Sequence, residues 1–232
     1  MGIPLGEAFY EGHVQRHAEQ AAAPHARFEA GMRGEDFVSE WRVIDSTPLT
    51  VAEALMPHVR CCDLVVAPRY RTDISDHPFE GVAEALAMGA GRPVLMLPAH
   101  ADPVRFGSFV TVAWDGSQEA ARAVFDAIDV LRDAEEVRVL HVREETWDGS
   151  NDALPAAEIA ATLARKGIRA EADHLAPGDA SVRDAILGRV AQTGSDLLVM
   201  GLYGHSKLRE FVFGGASRAL LKHMPVPVLV SH

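Results

Sequence analysis

The chain contains one pattern twice: an acidic residue, a short apolar run, a helical stretch, and a proline that opens a second apolar run. The two copies are Asp63 with residues 64–67 and 93–97, and Asp196 with residues 197–200 and 227–230. Apolar runs of four or five residues between turn residues are typical of strands buried on both faces of a parallel sheet. The repeat therefore predicts a layered α/β fold.

Each copy also has a strand-like segment upstream, followed by an amphipathic helix. The segments Phe37–Ile44 and Ile168–Leu175 alternate in hydrophobicity as strands do. The helices carry apolar residues four positions apart, which are Val51, Leu55 and Val59 in the first copy and Val182, Ile186 and Val190 in the second. Strands that alternate with helices predict βαβ units and a parallel sheet covered by helices.

Only the second copy has a complete beginning. Its additional elements are a strand at Phe109–Ala113, a turn at Asp115–Ser117, a helix at Gln118–Leu131 and a strand at Val137–Val142. Asp115 or Ser117 can cap that helix. From Phe109 onward we therefore expect five strands and four helices, a complete small α/β domain.

The first copy begins with a single predicted helix, Glu7–Met32, and lacks the front strands of the second. A linker at Ala99–Gly107, with Pro103 and Gly107 as breakers, separates the copies. We therefore expect an incomplete repeat at 1–106 and a complete domain at 107–232. The missing strands also suggest that Met1 is an internal methionine of a longer product.

Charge and cysteine content limit the partners and the compartment. Thirty-three acidic against 22 basic side chains give a net charge of −11, with no basic block. A surface of that sign repels phosphate backbones, so neither nucleic acid nor an anionic membrane is an expected partner. No apolar run reaches the ~20 residues of a membrane span, and Met1–Tyr10 does not resemble a secretory signal. Adjacent Cys61 and Cys62 form no disulfide framework, which favours a cytoplasmic protein.

No metal site is expected. If the chain is extended, Cys61 and Cys62 point to opposite faces, so one is expected in the core and the other near a helix end. The 11 histidines show no metal-ligand spacing. His141 and His174 lie in predicted strands, where a hydrogen-bonded structural histidine is the simpler interpretation.

Glycines after the fourth strand of the complete domain provide the candidate site. Gly201 and Gly204 are followed after nine residues by Gly214, Gly215 and Ala216 at the start of a predicted helix. Open parallel sheets bind ligands beyond the carboxyl ends of their strands, and amides at a helix start favour anions. Turn glycines would look the same. The phosphate-binding Gly-x4-Gly-Lys-Ser/Thr loop is absent, so the lysine that usually supports nucleotide hydrolysis is missing.

The segment Asp196–Val230, with its spacing of strand, glycine pairs and helix, resembles the C-terminal signature of the universal stress protein family. Val110–Ser117 resembles the family's first strand and turn. This resemblance covers Phe109–Val230 and implies a Rossmann-like open parallel five-stranded sheet of order 3-2-1-4-5. The partial copy at residues 37–98 resembles the tandem form of the family. Some members bind adenine nucleotide and others do not.

The resemblance also implies roles for residues of this chain. Asp115 would accept a hydrogen bond from the adenine amino group. Gly116 would belong to the same nucleotide-binding turn, and Val142 would line the base. Gly201 and Gly204 would admit the ribose and phosphates. Gly214, Gly215 and Ala216 would donate amides to the terminal phosphates of ATP or AMP, with Mg²⁺ as a possible companion. Gly215 stands where the ATP-binding pattern has Ser or Thr, and a hydrogen bond to a charged group contributes roughly 1.5–3 kcal/mol.

The first copy has Pro68, Arg69, Tyr70 and Arg71 in place of the glycines, so no phosphate cradle is expected there. The last strands, 93–97 and 227–230, are expected to be exposed edges that pair with each other. Pairing within one chain would give a pseudo-dimer, and pairing between chains a homodimer.

Three functions remain open from the sequence. The chain can be a regulatory stress-response protein that binds adenine nucleotide, an interaction scaffold of the same fold with an empty site, or a slow ATPase. No catalytic residue is assigned, and a non-enzymatic role is preferred.

Overall fold

The structure is a computed structural model. It describes residues 21–46, 50–69, 79–98, 106–142, 156–176, 178, 180–202, 220–221 and 224–232. The chain divides into two compact units, residues 1–46 and 47–232. Among the described residues, no helix is long and apolar enough to cross a membrane.

The described part of the first unit consists of helix α1, residues 21–32, and an irregular segment at 33–46. The Trp41 ring stacks on His25, with centroids 5.2 Å apart, and tilts against Phe28 at 5.4 Å. The strand predicted at Phe37–Ile44 is wrong, because residues 37–46 form none. Hydrophobic alternation produces a strand only where a neighbouring edge supplies hydrogen bonds and cross-strand contacts.

The second unit contains all the strands of the described residues. Its strands are β1 (Val65–Pro68), β2 (Val94–Leu97), β3 (Phe109–Ala113), β4 (Glu136–Val142), β5 (Ala170–Leu175), β6 (Leu197–Gly201) and β7 (Val228–Ser231). Its helices are α2 (Val51–Val59), α3 (Val82–Gly89), α4 (Gln118–Asp126), α5 (Ile128–Asp133), α6 (Ala156–Arg165) and α7 (Val182–Thr193), and residues 220–221 are also helical. The predicted helix Gln118–Leu131 is divided at Ala127, whose φ of −88° and ψ of 0° interrupt the regular helix.

These seven strands of the described residues form one sheet of order β1-β2-β7-β6-β3-β4-β5. From β3 onward the strands are the five of the predicted complete domain. Their order, β5-β4-β3-β6-β7, is 3-2-1-4-5 in that domain's own numbering, so this expectation is confirmed. The difference from a separate five-stranded sheet is that β1 and β2 continue the sheet beyond β7. The family-like fold is therefore extended by a partial copy.

The two copies join at one antiparallel contact, where Leu95 of β2 faces Leu229 of β7. The other pairs of the sheet are parallel. The expected pairing of the two last strands is thus observed within a single chain. Arg122 of α4 adds a second link, since its guanidinium donates to the carbonyl of Gly91 at 2.9 Å. These contacts make β1 and β5 the outer strands of the sheet.

Helices cover both faces of the sheet. Buried side chains of α2, α3 and α7 pack on one face, and those of α4, α5 and α6 pack on the other. The helix α7 begins at its cap Ser181, whose hydroxyl accepts from the amide of Asp184 at 3.1 Å. The hydrogen bond from Ser181, and then that from Arg183, lower the pKa of Asp184. Val66 of β1 remains 56% exposed on the face opposite α2 and α3.

Candidate functional site

The chain turns directly after β3 into α4, and two side chains shape this turn. Oδ1 of Asp115 accepts from the amide of Ser117 at 2.9 Å, and Gly116 has a φ of 78°, a left-handed conformation that glycine adopts without strain. The hydroxyl of Ser117 accepts from the amide of Ala120 at 3.1 Å. Ser117 is therefore the helix cap, and Asp115 holds the turn that precedes it.

The Asp115 carboxylate retains one acceptor atom. Its side chain is partly exposed, and Oδ2 receives no hydrogen bond from the residues that the structure describes. A carboxylate oxygen in this position can accept from an amino group, such as the exocyclic amine of adenine. The donor–acceptor chemistry of the turn therefore fits an adenine base.

Gly201, the last residue of β6, lies against the first turn of α4. A Cβ at this position would lie 2.5 Å from the amide nitrogen of Ala120 and 2.6 Å from the carbonyl carbon of Glu119. Real Cβ atoms do not approach backbone atoms this closely, so the packing of α4 on β6 requires glycine here. This role exists with or without a ligand, and sequence reasoning, which gave Gly201 contacts to ribose and phosphate, missed it.

Asp115 and Gly201 meet the same helical turn from two neighbouring strands. In the sheet, β3 has β4 on one side and β6 on the other, so the chain changes direction across the sheet between β3 and β6. Ligands of open α/β sheets bind in the crevice beyond the strand ends at this switch point. Val142, the last residue of β4, is half-buried and packs against the core on the face of α7.

The remaining predicted site residues belong to the glycine-rich segment that follows β6. Gly204, Gly214, Gly215 and Ala216 lie outside the described residues. Among the residues that are described, no group of three or more His, Cys, Asp or Glu side chains could hold a metal ion.

The acidic residue that leads into each repeated strand has a structural role in the second copy. Oδ1 of Asp196 accepts from the amides of Gly107 and Phe109 at 2.9 and 3.0 Å, and Oδ2 accepts from Ser108 at 3.1 Å. One carboxylate thus fixes the chain entering β3, at the amino ends of the strands. Asp63, its equivalent in the first copy, is exposed.

An ion pair occupies the corresponding strand end of the first copy. Val65 pairs with Val94 as Leu198 pairs with Val228, which places Pro68 where the second copy has Gly201. Nε of Arg69, the next residue, lies 3.1 Å from Oε1 of Glu84, and these side chains are only 12% and 20% exposed. Because Glu84 lies in the first turn of α3, its carboxylate opposes phosphate binding there.

The cysteines differ from expectation, whereas His141 agrees with it. Cys61 and Cys62 are both exposed after the end of α2, so the prediction that one packs in the core is wrong. The chain turns here instead of extending, and the thiols approach the carbonyls of Pro57 and His58. Nδ1 of His141 lies 3.0 Å from the carbonyl oxygen of Trp114, which satisfies this strand histidine as predicted.

The fold and the switch-point turn define a class: Rossmann-like α/β proteins whose site lies beyond the carboxyl ends of the strands. The universal stress protein family matches residues 110–232, more than half of the chain. The chain belongs to this family. No curated protein matches it in sequence.

Among the solved structures that match, two share the fold over most of this chain. The first structure is a universal stress protein from Archaeoglobus fulgidus that is 18% identical to this chain. The match covers 100% of this chain and 81% of that chain, with a TM-score of 0.67. The second structure, of a protein from Pseudomonas aeruginosa, is 18% identical. The match covers 91% of this chain and 77% of that chain, with a TM-score of 0.55. At this identity the likeness concerns the fold.

Proposed function

We propose that this chain is a cytoplasmic regulatory stress-response protein that binds an adenine nucleotide, ATP or AMP, in its domain at 107–232. The observation that carries the proposal is the turn after β3, where Asp115 keeps an acceptor oxygen beside the switch point of the sheet. The region 1–106 acts as a structural half-partner, because Arg69 and Glu84 fill the equivalent strand end.

Each proposed residue has a limited task. Asp115 accepts from the amino group of adenine, while Val142 lines the base and Gly116 permits the turn. Gly204, Gly214, Gly215 and Ala216 offer backbone amides to phosphate, and Mg²⁺ would accompany ATP. Gly201 keeps α4 close to β6, so that the first turn of α4 stays beside the ligand. Binding then favours one conformation of the protein and shifts its population.

We expect Asp115→Asn to separate nucleotide binding from folding. Asparagine retains an oxygen that can accept from Ser117, whereas its other atom becomes an amino donor facing the adenine amine. Loss of a hydrogen bond to a charged group should weaken binding at least about 10-fold. Isothermal titration with ATP and AMP measures this, and Asp133→Asn, at the exposed end of α5, is the matched control. Equal affinities of Asp115→Asn and wild type would show that Asp115 does not contact the base.

A second candidate is a scaffold of the same fold that binds no nucleotide. Gly215 favours it, because the hydroxyl of the ATP-binding pattern is missing from this position. A scaffold would show no thermal shift with ATP or AMP, and native mass spectrometry of the purified protein would find no bound nucleotide. A co-purified adenine nucleotide would exclude this candidate.

A further inference from the structure

His141 contacts the main chain at the point where β3 leaves the sheet. The amide of Trp114 donates to the carbonyl of Leu140 at 2.8 Å, which continues the β3–β4 ladder one residue beyond β3. In a parallel ladder the next acceptor on this strand is the carbonyl of Trp114. Nδ1 of His141 reaches this oxygen at 3.0 Å. A carbonyl at the end of the ladder therefore bonds to a side chain.

This contact is one peptide unit away from Asp115. The carbonyl of Trp114 and the amide of Asp115 belong to the same planar peptide group. A hydrogen bond that holds the Trp114 oxygen therefore also orients the backbone nitrogen of Asp115. Asp115 in turn holds Ser117, and Ser117 caps α4. The chain of contacts thus runs from the His141 ring to the turn of the candidate site.

The ring itself is held in place. His141 lies on β4 between β3 and β5, where it faces His174 in the β4–β5 register. The two rings meet edge to face, with centroids 6.1 Å apart and planes inclined by 72°. His141 is half-buried, whereas His174 is exposed on the outer strand. Strand pairing on both sides restricts the backbone of His141, which makes it suitable for positioning a neighbour.

We propose that His141 is a positioning residue for the adenine site: through the carbonyl of Trp114 it fixes the orientation of Asp115. This inference rests on the proposed nucleotide-binding function. His141 acts through the main chain and does not touch the ligand. Asparagine can replace it in this role, because its side-chain amide nitrogen takes nearly the position of Nδ1 and also donates.

The test compares His141→Leu, His141→Asn and the neighbouring His174→Leu with wild type. Isothermal titration with ATP and AMP should give about 10-fold weaker binding for His141→Leu, since one hydrogen bond is lost. We expect His141→Asn and His174→Leu to stay within about 2-fold of wild type, because neither removes the donor to Trp114.

Amide hydrogen exchange, measured by NMR without nucleotide, separates positioning from a general loss of stability. In His141→Leu the Ser117 amide should exchange about 10-fold faster, whereas the Trp114 amide, bonded to Leu140, should keep its rate. Equal acceleration at Ser117 and Trp114 would indicate general loosening and overturn the inference. Binding of equal strength by wild type and His141→Leu would overturn this inference alone. If wild type binds neither nucleotide, the proposed function fails, and this inference fails with it.

Discussion

Replacing Gly201 by alanine is expected to destabilise the protein by about 3 kcal/mol, the upper part of the range for overpacked sites. The added Cβ would lie 2.5 Å from the amide nitrogen of Ala120 and 2.6 Å from the carbonyl carbon of Glu119. These are backbone atoms of α4, so a side-chain rotation cannot relieve the contact. Either α4 or the end of β6 must move. For a unit of this size the melting temperature should fall by about 6–12 °C.

Gly188→Ala is the matched control for this substitution. Gly188 lies inside α7, and a Cβ there meets no atom within 4 Å. Alanine should stabilise a helix interior by about 0.5–1 kcal/mol relative to glycine. The same change should thus act in opposite directions at the two positions in thermal and urea unfolding. An unchanged stability of Gly201→Ala would contradict the close packing of α4 on β6.

The Gly201→Ala substitution also tests how Gly201 affects the candidate site. If α4 moves in Gly201→Ala, the Ser117 cap and the Asp115 turn should move with it, and nucleotide binding should weaken in the protein that remains folded. This effect needs no direct contact between Gly201 and the ligand. The loss of stability without nucleotide distinguishes a packing glycine from a glycine that only admits phosphate.

Apolar runs buried on both faces could be predicted from the sequence. The strand Phe109–Ala113 has the predicted bounds. Its residues 110–112 are buried, and four of its five residues are apolar, as expected of a strand covered on both faces. Phe37–Ile44 has the alternation of a strand and forms none. Its pattern resembles that of β5, but residues 21–36, the described residues that precede it, form no strand against which it could pair. Alternating hydrophobicity shows only that a segment is suited to a strand, and the segment forms one only where it can pair with a neighbouring strand.

Contacts between distant segments could not be predicted. Nothing next to Gly201 in the sequence shows that α4 packs on it, since Glu119 and Ala120 lie in a different βα unit. The sequence also gives no sign that the predicted helix divides at Ala127, because alanine is a strong helix former. Asp115 and Ser117 were recognised together as a turn, but only the hydrogen bonds assign the cap to Ser117.

The sequence repeat places Asp196 directly before a strand but does not explain why this residue is charged. Its partners lie 87 to 89 residues earlier in the chain. Three amides converge on this one carboxylate, and in the described residues Asp63 of the first copy has no such arrangement. The same sequence position therefore has a structural role in one copy and an exposed side chain in the other.

We expect Asp196→Ala to destabilise the protein by about 2–3 kcal/mol. Alanine leaves the amides of Gly107, Ser108 and Phe109 without their acceptor, and hydrogen bonds to charged groups contribute roughly 1.5–3 kcal/mol each. Water can reach this partly exposed site and replace some of them, which keeps the loss below the sum of the three bonds. Asp196→Asn should cost about 1–2 kcal/mol, because it keeps one oxygen but turns an amino group toward a donor.

Asp63→Ala provides the internal control, since this residue occupies the equivalent position without the three amides. Its effect should stay within about 0.5 kcal/mol, as for most exposed substitutions. Urea unfolding gives the free energy of unfolding of all three variants, provided that the slope against urea concentration is unchanged. Hydrogen exchange of the Gly107, Ser108 and Phe109 amides shows where the structure has loosened. Equal losses for Asp63→Ala and Asp196→Ala would contradict a specific anchor. Because Asp196 lies at the amino ends of the strands, opposite the candidate site, folded Asp196→Asn should bind nucleotide as wild type does.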